Sequence, residues 1–155
     1  MFNALVPKLV NFNNYINAKT RDNTRDTTMF KILHIDASVR SAQNDNPNHD
    51  SISRRIASSF ISALRSAKAI DEYSYRDLGK EPPAFICQDW IGAVFTPDEQ
   101  QTIQQQALLT LSDQLINEVA TADLIVLSTP MYNYGMPAAL KAWFDQVIRV
   151  NKTFD

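Results

Sequence analysis

Three serines and one aromatic turn are the residues of this chain whose types and spacing could do chemistry. Ser38 follows the strand-like run KILHIDA and opens a polar loop, and Ser51 and Ser53 stand at the entry of the helical stretch DSISRRIA. A hydroxyl-rich loop that leads from a strand into a helix is an anion site. The first-turn amides have no partner inside the helix, the positive end of its dipole lies there, and serine hydroxyls add donors. A phosphate can be held in such a place without a lysine. Each serine alone reads as an ordinary cap or turn residue, so it is the grouping that points to a site. The second stretch is PMYNYGMP, with two tyrosines, an amide and a glycine directly after the apolar run Leu124, Ile125, Val126 and Leu127. Open α/β sheets bind their ligands at that end of their strands.

The elements that must position these residues can be read from apolar spacing. Four consecutive apolar residues at 124–127 need cover on both faces, the pattern of a central parallel strand that ends at Ser128 and Thr129. Pro137 suits the first turn of a helix with the stripe Leu140, Trp143, Phe144, Val147 and Ile148, leaving Lys141, Asp145 and Arg149 outside it. Upstream, Lys31 to Ala37 forms the first strand, and Ser38 to Asp50 is a loop of turn formers. Asp50 or Ser51 caps the next helix, whose stripe is Ile52, Ile56, Phe60 and Leu64 with Ala57 and Ala63 beside it. Ala69 to Leu78 alternates and is wetter, as expected of a second strand nearer an edge.

Residues 81–95 read as a loop with a surplus of apolar side chains, in which Trp90 is assigned to core packing and Cys87 to a small buried hydrophobe. Thr96, Pro97 and Glu99 give a capping box and first-turn proline for a long helix, with Ile103, Ala107, Leu111, Leu115 and Val119 repeating every four residues to an end near Thr121. The order is three βα units with connections long enough for right-handed crossovers in a parallel sheet.

Composition narrows the partners. The 155 residues are 45% hydrophobic and 21% charged, enough for one soluble domain with a real core. A formal net charge of −2 gives no basic surface for nucleic acid or anionic lipid, and no apolar run approaches a membrane span. The single cysteine excludes an internal disulfide and fits a reducing, cytoplasmic setting, and two separated histidines give no metal-ligand spacing. Three glycines in all cannot supply a GxGxxG or Walker-type loop. Residues 1–28, rich in asparagine, threonine and mixed charge, read as a poorly ordered extension, with Met29 an alternative start and 29–155 the domain.

With the pieces placed, the sequence from Phe30 to Phe154 resembles the FMN-dependent NADH:quinone oxidoreductase and azoreductase family of the flavodoxin-like fold. Three places carry the resemblance: KILHIDASVRS, DSISRRIA, and PMYNYGMPAALKAWFDQVIRVNKTF, whose MYNY is similar to the family's MYNF-type flavin loop. The resemblance implies that Ser38, Ser51, Ile52 and Ser53 hold the FMN phosphate and that Met131, Tyr132, Asn133 and Tyr134 lie along the isoalloxazine. It implies two-electron, ping-pong hydride transfer from NADH through FMN to quinones or azo compounds. No protein acid, base or nucleophile is nominated, because the cofactor carries the chemistry. Trp90 and Phe95 are expected to wall the acceptor site, and the full-length form is expected to be a homodimer.

The chain departs from the family's pattern in two respects. Its first loop, Ser41 to His49, is longer than the pattern requires, and only three of the five strands of a 2-1-3-4-5 sheet precede Asp155. The fold class expected is therefore a flavodoxin-like three-layer α/β sheet truncated after the third βα unit, with the 124–127 strand left as a sticky apolar edge. Such a chain is expected to be marginally stable or to associate, and to bind FMN weakly if at all. Its rival functions are a flavodoxin-like electron carrier and an inactive remnant serving as a binding module.

Overall fold

The computed structural model describes residues 30–67 and 70–154, so the expectation for residues 1–28 lies outside the described residues. Three parallel strands form the sheet: β1 (Phe30–Asp36), β2 (Ile70–Asp77) and β3 (Leu124–Ser128), in the order β2-β1-β3. The register aligns His34 with Tyr75 on one side and with Val126 on the other, so β1 is the central strand. It is buried along almost its whole length. The half-buried, wetter β2 takes one edge, as its alternation required.

Four helices complete the described fold: α1 (Ile52–Ser66), α2 (Gln88–Val94), α3 (Ile103–Thr121) and α4 (Ala138–Val147). Leu33, Ile35, Leu115, Val119, Leu140 and Trp143 build the larger core on the face covered by α3 and α4. Phe30, Ile32, Ile61 and Leu64 build the smaller core on the opposite face, against α1. The three layers are thus helix, sheet and helix, and alternate residues of β1 feed the two cores.

Several local expectations are corrected by the structure. The buried residues of α1 are Arg54, Ala57, Ile61 and Leu64, while Ile52 and Ile56 are exposed. The helix is turned by about one residue from the expected stripe, because an ion network fixes Arg54 inward. Residues 88–94 are helical, and α2 buries Trp90 and Ala93 against Leu109 of α3. Cys87 is exposed, so it is no core residue. The capping box belongs to Thr102 and Gln105, which exchange bonds of 3.2 and 2.9 Å, and α3 therefore starts at Ile103 with that side chain exposed. Thr96 instead donates its hydroxyl to the Gly92 carbonyl at 2.8 Å and closes α2. At β3, Leu124, Ile125 and Val126 are half-buried and Leu127 is exposed, with β3 at the second edge of the described sheet.

Candidate functional site

The site is assembled at the carboxyl ends of β1 and β3. Ala37 donates its N–H to the Ser128 carbonyl at 2.8 Å, extending the β1–β3 pairing to the point where both loops leave the sheet. Ser38 follows, almost wholly buried, its hydroxyl accepting the Arg40 N–H at 3.2 Å in a tight polar turn. The long loop closes back on itself: Ser51 N–H donates to the Ser41 carbonyl at 2.8 Å, and Asp50 accepts from the Asn44 N–H at 2.8 Å. Ser51 then caps α1, with its hydroxyl accepting from the Arg54 N–H at 3.4 Å and lying 3.2 Å from the Ser53 hydroxyl. The amides of Ile52 and Ser53 occupy the first two helical positions, where the residues four back lie outside the helix and leave them without an intrahelical acceptor. Ile52 thus offers a backbone donor while its side chain faces solvent.

The second loop is a two-residue hairpin turn. Tyr132 and Gly135 exchange both backbone hydrogen bonds at 2.9 Å, and the central residues Asn133 and Tyr134 have φ of 48° and 63°. Two positive φ values in succession mark a type I′ turn, where asparagine is favoured and tyrosine is not. Gly135 does not take a positive φ, so the turn places its strain on Tyr134 rather than on the glycine. That ring is 96% exposed, so packing within the described residues does not repay the strain. Met131 and Asn133 are exposed as well, and Tyr132 is half-buried.

Tyr132 joins the two loops. Its hydroxyl accepts the Val39 N–H at 3.2 Å and lies 3.5 Å from the Ser38 hydroxyl. The two stretches chosen from sequence, 94 residues apart at Ser38 and Tyr132, therefore share one end of the sheet and touch. Trp90 does not line an open pocket with Phe95, since its ring is buried in the α2–α3 contact while Phe95 is exposed.

Beneath Ser38 lies a charged network that the sequence reading missed. Arg54 is buried, and its guanidinium meets Asp36 at 3.1 Å, Tyr75 at 3.0 Å and Asp77 at 2.8 Å. It also donates from Nε to the Ser38 carbonyl at 3.2 Å, and from Nη2 to the same oxygen. Asp36 accepts from the Tyr75 hydroxyl at 2.8 Å and lies 3.2 Å from His34, whose other ring nitrogen is 2.7 Å from the Tyr73 hydroxyl. Burial alone would push the Asp36 carboxyl up, but hydrogen bonds with His34 and Tyr75 outweigh it and hold the group down at about 2. Asp77 is also lowered: burial opposes ionisation, and the Arg54 guanidinium overcomes it. Burial and the neighbouring Asp36 carboxylate push the Tyr75 phenol up, so it stays a donor. The available signal was an arginine at the third helical position, where a cation is disfavoured by the dipole unless carboxylates meet it.

The residues present fit a flavin mononucleotide. Backbone and hydroxyl donors at a helix N-terminus suit a phosphate, and an exposed aromatic turn bonded to that cradle suits a flat ring. Among the described residues no helix is long and apolar enough to cross a membrane.

Comparison with known proteins finds relatives over the same residues. A 61% identical stretch of 127 residues, 82% of this chain and 53% of the relative, is found in FMN-dependent NADH:quinone oxidoreductase 2 of Idiomarina loihiensis. The protein of the same name from Colwellia psychrerythraea is 59% identical over 126 residues, covering 81% of this chain and 58% of the relative. The crystal structure of an azoreductase from Bacillus anthracis superposes with a TM-score of 0.66 at 25% identity, over 80% of this chain and 58% of that one. The chain thus spans little more than half the length of the relatives it matches. The family defined by the flavodoxin-like fold matches residues 30–155, and with the parallel β2-β1-β3 sheet already established, this chain belongs to that family.

Proposed function

We propose that this chain carries the FMN-binding part of an FMN-dependent NADH:quinone oxidoreductase with azoreductase activity. The observation that supports the reading most is the contact of the Tyr132 hydroxyl with the Val39 N–H, because it joins the Ser38 loop to the Tyr132 turn at one end of the sheet. Ser38, Ser51, Ser53 and the Ile52 amide hold the phosphate. Met131, Tyr132, Asn133 and Tyr134 lie along the ring, with Asn133 and backbone amides facing its polar edge. Bound FMN supplies the two-electron chemistry that links NADH to a quinone or azo acceptor. The protein's own part is to grip and orient the flavin and leave one face open, and no side chain of the site is assigned a proton transfer. A homodimer in the full-length form and a cytoplasmic location complete the proposal.

The test is a flavin titration of the purified protein followed by NADH consumption in the presence of a benzoquinone. Saturable FMN binding with NADH-dependent turnover is expected. FMN binding without turnover would favour an electron carrier, and absence of FMN binding would leave only a binding module.

A further inference from the structure

We infer that Arg54 is a positioning residue for the cofactor phosphate: anchored by Asp36 and Asp77, its guanidinium holds the Ser38 carbonyl inward and so fixes the Ser38 loop against the Ser51 end of α1, the two sides of the phosphate cradle. The inference rests on the reading of that site as an FMN cradle and adds to it a residue that does not touch the flavin. In a trans peptide the carbonyl of one residue and the N–H of the next point in opposite directions. The Ser38 carbonyl is held inward by two donors of one guanidinium, Nε at 3.2 Å and Nη2. The Val39 N–H must then point outward, and it does, meeting the Tyr132 hydroxyl at 3.2 Å.

Three further observations support a purpose beyond packing. Arg54 occupies the third position of α1, where its own N–H bonds the Ser51 cap, so one residue ties the helix end to the Ser38 loop. Gly79 leaves the space the clamp needs, since a Cβ there would lie 2.0 Å from the Ser38 oxygen and 2.9 Å from Arg54 Nη2. A buried ion network of this kind is also a poor source of net stability, because well-packed apolar residues usually serve as well or better. What the guanidinium supplies and an apolar side chain cannot is a fixed fork that sets the direction of a peptide plane.

The experiment compares FMN with riboflavin, which lacks the phosphate, in fluorescence titrations of wild-type protein, Arg54→Lys and Asp77→Asn. Lysine keeps the charge but cannot bind the Ser38 carbonyl through a rigid fork, so the ratio of FMN to riboflavin affinity is expected to fall about tenfold. Asp77→Asn keeps the size of the anchor and weakens its hold, and a smaller fall of about threefold in the same ratio is expected. It serves as the deciding variant if Arg54→Lys does not fold. An unchanged ratio in a folded variant, or equal losses for both flavins, overturns the inference and leaves the FMN cradle standing. A wild-type protein that fails to prefer FMN over riboflavin overturns the cradle itself, and the inference with it.

Discussion

The two halves of the site are held by opposite means. The cradle at Ser38 and Ser51 is buried and stands on four charged or aromatic side chains, Asp36, Arg54, Tyr75 and Asp77, that bond one another. The turn at Asn133 and Tyr134 is exposed and is held by two backbone bonds and two positive φ values. A phosphate needs donors aimed in advance, because each misaligned amide forfeits a charge-assisted bond, and rigidity from below supplies that aim. A flat ring needs a surface kept clear of the core, and a strained hairpin holds tyrosine out in solvent where packing would otherwise draw it in.

Breaking the buried half has the larger expected effect. Arg54→Met leaves Asp36 and Asp77 facing each other without their cation and should cost about 3–5 kcal/mol in chemical denaturation. Acid should loosen the same half. Because the Asp36 carboxyl lies at about 2 in the folded protein, below its ordinary value of 3.8, its stabilisation is complete above that ordinary value and is lost as pH falls through about 2. The loss over that window should be on the order of 2 kcal/mol, and Asp36→Asn should flatten it. Removing the cap by Ser51→Ala should cost about 0.5–1 kcal/mol in thermal unfolding, at the low end for a cap because the bond to Arg54 N–H is 3.4 Å long. The exposed half behaves differently. Tyr134→Gly should raise stability by about 0.5–1 kcal/mol by relieving the positive φ, while weakening flavin binding through loss of the ring.

The contrast between the halves also explains what could be read from the sequence. The three strands, their parallel order and the two loops that meet at their carboxyl ends follow from local signals: apolar runs, hydroxyls at a helix entry, and an aromatic turn after a strand. The helix phases do not. In α1, Ile56 and Phe60 outweigh Ala57 and Ile61 on any hydropathy scale, yet the second pair faces inward with Arg54. An arginine becomes a core residue only when carboxylates from β1 and β2 converge on it, and those partners stand 18 and 23 residues away. The Thr96 start failed for a similar reason. Two capping signals lie six residues apart, and the contact of Gln105 Nε2 with the Thr96 hydroxyl at 2.9 Å shows the first threonine absorbed into packing between α2 and α3. Tyr134 is legible as part of an aromatic turn, but its positive φ depends on the hairpin pairing of Tyr132 with Gly135, which no spacing rule states.

The central claim is that one mononucleotide spans both halves. The measurement that tests it most directly is an amide-resolved NMR titration of the protein with FMN. Val39, Ile52 and Ser53 in the cradle and Asn133 and Tyr134 in the turn should shift together along a single binding curve. Shifts confined to one cluster, or two clusters saturating at different FMN concentrations, would contradict it.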